Sequence, residues 1–192
     1  DLCLSEHDLL SRMHPKTRYN IRLAERREVE ITRQAANERF DIFWNLLLET
    51  ARRNGFHTHE ESYYRNLLAL HSPCFSTELF FAEYAGRAVA AALVNFYSSG
   101  DGAAVATYLH GGMSREHKET MASYLLHWRI MREAKARGFA AYDLWGADEA
   151  RWPGVTRFKK GFGGAAVEYP ASVDILYRPW TYRGYALARK FL

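Results

Sequence analysis

Apolar side chains recur along this chain at two spacings, every three to four residues in some stretches and every second residue in others, and the switches mark its elements. Ser5, with Asp8 three residues on, opens a first helix as its N-cap. Pro15 starts a second, where its missing N–H costs nothing. Val29-Glu30-Ile31-Thr32 alternates as a short strand. A long helix is predicted from Asn37 through Phe40, Phe43, Trp44, Leu47 and Leu48 to Arg53, stopped by Gly55, and its aromatics recur at core spacing. Another runs from Glu60 to His71 with Tyr63, Leu67 and Leu70 in one stripe.

Three strand-like runs come next, Glu78 to Tyr84, Ala88 to Tyr97 and Ala103 to His110, separated by turn signals at Ala85-Gly86 and Gly100-Asp101-Gly102. They predict an antiparallel meander. A helix over about 116–137 buries Met121, Leu125, Trp128 and Met131 and ends at Gly138. Ala140 to Trp145 reads as a buried strand, 173–177 as another, and Pro179 opens a closing helix to Leu192. The order helices, meander, helix, strand, helix, strand predicts an α/β class: a mixed, largely antiparallel sheet flanked by helices, the layout of a GNAT-type acyltransferase fold.

A chain of 192 residues fits one domain, here 1–192, with 48% hydrophobic and 25% charged residues as in a globular protein. No apolar run reaches transmembrane length. Cys3 and Cys74 lie far apart, which suits a reducing compartment better than a disulfide scaffold. The eight histidines form no zinc-ligand spacing. A formal charge of +4 suits a polyanionic partner without demanding one. Arg18, Arg22 and Arg26 fall in one helical stripe, either a solvated basic face or an RNA-facing one.

The most informative stretch is Gly154-Val155-Thr156-Arg157-Phe158-Lys159-Lys160-Gly161-Phe162-Gly163-Gly164. Phe158 and Phe162 share a helix face, and turning that face inward presses at least one lysine against an apolar wall. There a fixed cation can meet negative charge developing in a reaction. Spacing alone favours the plainer reading, a short amphipathic helix with two solvated lysines. Asp143 and Asp148 flank Trp145-Gly146 at a strand end and read first as turn or cap formers.

This stretch, with Tyr142-Asp143-Leu144-Trp145-Gly146 before it, Val167-Glu168-Tyr169-Pro170 and Asp174-Ile175-Leu176-Tyr177-Arg178-Pro179 after it, and Lys16-Thr17-Arg18-Tyr19-Asn20-Ile21 near the start, resembles the C-terminal half of the FemABX aminoacyltransferases. The resemblance implies the second of that family's two GNAT-like domains, the first being absent or carried on another chain. It implies transfer of an amino acid from aminoacyl-tRNA to the peptide of a nucleotide- or lipid-linked peptidoglycan precursor, in the cytoplasm or at the inner membrane face, with no cofactor. Phe158 and Lys159 fall on the family's Phe-Lys pair, which gives Lys159 the role of electrostatic catalyst and Phe158 that of packing against the donor. Tyr63 and Tyr108 fall on acceptor-contacting tyrosines, although a half-buried strand tyrosine explains Tyr108 as well. His59 stands where the family has an arginine that holds the nucleotide diphosphate, so Arg65 or His57 would have to substitute, or the acceptor differs. Arg157, beside the Phe-Lys pair, is grouped with the substrate-binding residues.

Two other functions compete. An acyl-CoA-dependent N-acyltransferase uses the same fold but needs a glycine-rich turn for the pyrophosphate, and His110-Gly111-Gly112-Met113-Ser114-Arg115 lacks the usual pattern. A noncatalytic RNA-binding module would rest on the arginine stripe alone.

Overall fold

The computed structural model describes residues 1–35, 38–100, 104–170 and 173–189. Its helices are α1 (Glu6–Arg12), α2 (Pro15–Arg26), α3 (Phe40–Asn54), α4 (Glu61–Ala69), α5 (Ala122–Ala136), α6 (Pro153–Lys160) and α7 (Pro179–Ala188). Its strands are β1 (Glu30–Ala35), β2 (His71–Ser72), β3 (Phe75–Tyr84), β4 (Arg87–Ser98), β5 (Ala104–Met113) and β6 (Ala141–Asp143). The sheet order is β1-β3-β4-β5-β6, antiparallel except for the parallel β5–β6 pair, with β2 beside β3.

Successive side chains of the central strands serve opposite layers. Leu79, Phe81, Ala91 and Leu93 pack under α3 and α4 with Phe40, Phe43, Leu47 and Tyr64. Phe80, Ala82, Ala92 and Val94 pack under α2 and α5 with Ile21, Ala24, Leu125 and Ile130. Both faces are covered, so β3 and β4 read as nearly continuous apolar runs. Each of the fully buried Phe43 and Phe81 side chains stabilises the fold by about 1.5–3 kcal/mol.

The predicted α/β architecture is the one observed. Ser5 accepts from Asp8 N at 3.1 Å as an N-cap, and Ala85 and Gly86, at φ 49° and 75°, make the predicted tight turn. The other end-of-strand turn, at Asp101-Gly102, and the Asn37 helix start lie outside the described residues, as does Leu192; α3 begins at Phe40. The helix expected over 116–137 starts later. His117 and Met121 take positive φ, 63° and 56°, so a 3-10 turn at Lys118–Thr120 precedes α5. The strand expected at 173–177 is not formed among the described residues. Val173, Ile175 and Tyr177 are 83%, 74% and 88% exposed, so their alternation has no buried face behind it.

Two irregularities set the geometry of β5. A bulge between Leu93 and Val94 leaves Leu109 unpaired, so Tyr108 faces the α5 layer while Leu109 packs with the α3 layer. β6 pairs with β5 only from Val105 to Thr107, beyond which the two strands part.

Candidate active site

The lysine-bearing helix α6 is fixed by its flanks. Asp148 accepts from Arg151 N at 2.9 Å and its carbonyl takes Trp152 N at 2.8 Å, while Asp143 accepts from Trp145 N at 2.7 Å. Both acids thus form turns. At the other end Gly161 O accepts from His14 N at 2.9 Å. A Cβ on Gly161 would lie 2.5 Å from Thr17 Oγ1, and one on Gly163, at φ 78°, would meet the Arg12 carbonyl. These two glycines let the end of α6 sit on the turn between α1 and α2.

That docking turns Phe158 and Phe162 onto α5. Their ring centroids lie 4.9 and 6.1 Å from Tyr124 and 5.3 and 5.6 Å from His127. Lys159, one step round the helix, is half-buried; its Nζ donates to Trp145 O at 3.1 Å and Gly146 O at 2.6 Å. It also stands 5.7 Å from the Tyr108 ring centroid. Lys160 instead forms an exposed ion pair with Glu149 at 2.6 Å. The two adjacent lysines therefore have different surroundings.

Burial pulls the Lys159 ammonium below its ordinary value of 10.5, against the opposing charge of Asp143. Burial drives Tyr108 up to about 12. His127, buried and beside the Lys159 charge, is lowered to about 3, so it is neutral at physiological pH. Its Nδ1 is 2.8 Å from Tyr142 Oη, and burial raises Tyr142 in turn. Beside a neutral His127 and two tyrosines that keep their protons, Lys159 is the cation of this group.

A cavity of about 460 Å³ lies between α3, β5, α5 and α6, with Arg53 and Phe56 on its α3 side and Tyr108, Tyr124, His127 and Phe158 around Lys159. Phe56 meets Trp152 edge-on at 6.1 Å at its margin. An ammonium held against such a wall can stabilise an oxyanion formed in the cavity.

Of the residues singled out by sequence, the fold brings Phe158, Lys159 and Tyr108 together. His59, just before α4, and Tyr63, on it, meet as a tilted ring pair at 4.2 Å and reach the cavity through His110, 6.3 and 6.0 Å from them. Burial and nearby His59 lower His110 to about 4. Arg157 is exposed on the outer side of α6. Arg18 leaves the basic stripe: its guanidinium donates to the carbonyls of Leu10, Ser11 and Met13, where α1 ends. Arg22 and Arg26 remain exposed, Arg26 lying 5.9 Å from the Tyr19 ring. Arg65 is engaged by Glu61 at 2.7 Å and Asp41 at 2.8 Å and lies over Phe40, leaving it poorly placed to stand in for an arginine at 59. Sequence reading missed Tyr124, His127 and Tyr142; spacing of three from Tyr124 to His127 was the available signal, masked because a histidine does not count as apolar.

The FemAB family model matches residues 2–84 and 74–190. The chain belongs to the FemAB family. The aminoacyltransferase FemA of Staphylococcus epidermidis is 30% identical over 67 residues, 32% of this chain and 16% of that protein. The crystal structure of FemX superposes with a TM-score of 0.74 at 20% identity, over 84% of this chain and 56% of FemX. This FemAB chain thus spans about a sixth of the FemA sequence and just over half of FemX. An aminoglycoside acetyltransferase from an uncultured soil sample (TM-score 0.57, 14% identity, 78% of this chain and 97% of that one) shares the fold. So does a ribosomal-protein-alanine N-acetyltransferase from Brucella melitensis biovar Abortus 2308 (TM-score 0.53, 18% identity, 77% and 99%). In the FemAB chain, however, Gly111 and Gly112 lie within β5 rather than in the turn after it. No helix among the described residues is long and apolar enough to cross a membrane.

Proposed function

We propose that this FemAB chain is an acyltransferase unit that moves an amino acid from aminoacyl-tRNA to an amine on the peptide of a peptidoglycan precursor. The acceptor nitrogen attacks the ester carbonyl, forming the C–N bond and a tetrahedral oxyanion whose collapse breaks the C–O bond to the ribose. The nitrogen gives up a proton and the departing ribose oxygen gains one. Lys159 stabilises the oxyanion between these events, and Phe158 packs against the donor and keeps water from the ester. Tyr108, Tyr63, His59 and Arg157 are assigned to substrate contact, with Arg22 and Arg26 left to meet RNA phosphates. Charged tRNA places the reaction in the cytoplasm, at the inner membrane face where the acceptor is lipid-linked. The share of FemX covered supports assigning the chain to one of two such units.

The observation carrying this reading is the half-buried Lys159 ammonium, held by two backbone carbonyls at the wall of the cavity. Given radiolabelled aminoacyl-tRNA and a nucleotide-linked muropeptide, the protein is expected to move label to the muropeptide. Label that stays on tRNA, together with tight calorimetric binding of acetyl-CoA and acetylation of the amine, would establish the CoA-dependent reading instead.

A further inference from the structure

The hydrogen-bond phase of β5 leaves one residue's backbone facing the cavity. Ser114 N donates to Val89 O at 2.9 Å, and the register pairs Met113 with Ala90, Gly112 with Ala91 and Gly111 with Ala92. In an antiparallel ladder, alternate residues bond to the partner strand. Gly112 therefore bonds to β4, while Met113 and Gly111 direct their N–H and C=O to the opposite edge. The fold bears this out at Met113: its N–H donates to Thr50 Oγ1 at 2.9 Å, and its carbonyl accepts from Thr50 Oγ1 at 3.2 Å and Arg53 Nη1 at 3.0 Å. For Gly111 no described residue supplies a partner. β6 has ended at Asp143, and Gly111 lines the cavity.

We propose that the β5 edge at Gly111 docks one residue of the acceptor peptide in strand fashion, the Gly111 N–H donating to that residue's C=O and the Gly111 C=O accepting from its N–H. The edge offers one donor and one acceptor in strand phase, and a backbone amide segment matches both. A phosphate or carboxylate satisfies the donor alone. Glycine at 111 suits the task twice. It lets the Tyr108 hydroxyl occupy the space a side chain would take, and it opens the backbone to close approach. Gly111, Tyr108 and Lys159 then form a row from amide recognition to the ammonium. The inference deepens the proposed function and rests on its assignment of a peptide acceptor.

The test is a ¹H–¹⁵N titration of the full chain with Nα-acetyl-L-lysyl-D-alanine amide, which carries a free side-chain amine. The Gly111 amide proton is expected to move downfield and to exchange about tenfold more slowly, a factor matching one net hydrogen bond, while Met113, already held by Thr50, stays put. The analogue with an ester in place of the lysyl–alanyl amide is expected to bind about tenfold more weakly. If Tyr108 and Lys159 signals move but Gly111 does not, docking at this edge is wrong and the function stands. If none of the three moves, both fail. A Gly111 response to acetyl-CoA and not to the peptide overturns both in favour of a pantetheine arm.

Discussion

Replacing Lys159 with Met is expected to lower transfer from aminoacyl-tRNA by about 100- to 1000-fold, the usual cost of deleting one oxyanion-stabilising group, with the unfolding temperature unchanged. Methionine keeps most of the aliphatic stem that packs near Tyr108 and removes only the charge and its two bonds to Trp145 and Gly146 carbonyls. Those carbonyls face solvent once released, so the fold loses little. The fall should appear in kcat rather than in tRNA affinity, because the oxyanion exists only in the transition state. Lys160→Met is the matched control: its amine pairs with exposed Glu149 and should leave transfer within about twofold, as expected of a surface ion pair. Near wild-type turnover from Lys159→Met rules this lysine out.

The second large effect is structural. Gly112→Ala is expected to destabilise the protein by about 1–3 kcal/mol through overpacking, lowering Tm by roughly 2–12 °C for a chain of this size. A Cβ there would sit 2.5 Å from Leu47 N and closer still to the Leu46 carbonyl, both backbone atoms of α3 that cannot swing aside. The same substitution at Gly184, in the exposed helix α7 with nothing near its Cβ position, is expected to leave Tm unchanged or slightly raised. Calorimetric scans of the two variants decide the matter. Equal Tm values would mean that α3 does not lie against β5 as described.

The contrast between those glycines shows where the sequence was legible and where it was not. Three-to-four-residue periodicity follows from helix geometry, and a short apolar run bounded by turn signals marks a strand buried on both faces, so the Leu125–Trp128 stripe and Leu79 to Ala82 announced their elements correctly. The inward turn of α6 was legible for the same reason, from Phe158 and Phe162. Gly111 and Gly112 look in sequence like a turn missing its pattern. In the fold they are strand residues, chosen by an approaching helix and a neighbouring tyrosine ring, contacts of long range that spacing does not encode. His127 was invisible because its burial depends on Tyr142 across the α5–β6 interface. Arg18 looked solvated in the stripe, yet three carbonyls at the end of α1 take its guanidinium. At Val173, Ile175 and Tyr177 alternation was present and the strand was not, since alternation specifies two faces but not a partner edge.

The central claim is that the Lys159 amine works while protonated, in a setting that loosens its proton. Burial lowers its pKa, so the charge is lost, as pH rises, through a midpoint below 10.5. Following the Lys159 Cε chemical shift from pH 6 to 11 alongside kcat/KM for transfer tests this most directly. The account predicts one shared alkaline midpoint below that of an ordinary lysine, reached by resonance and rate together. A Lys159 resonance titrating at the ordinary value, or a rate that holds steady while it titrates, would contradict it.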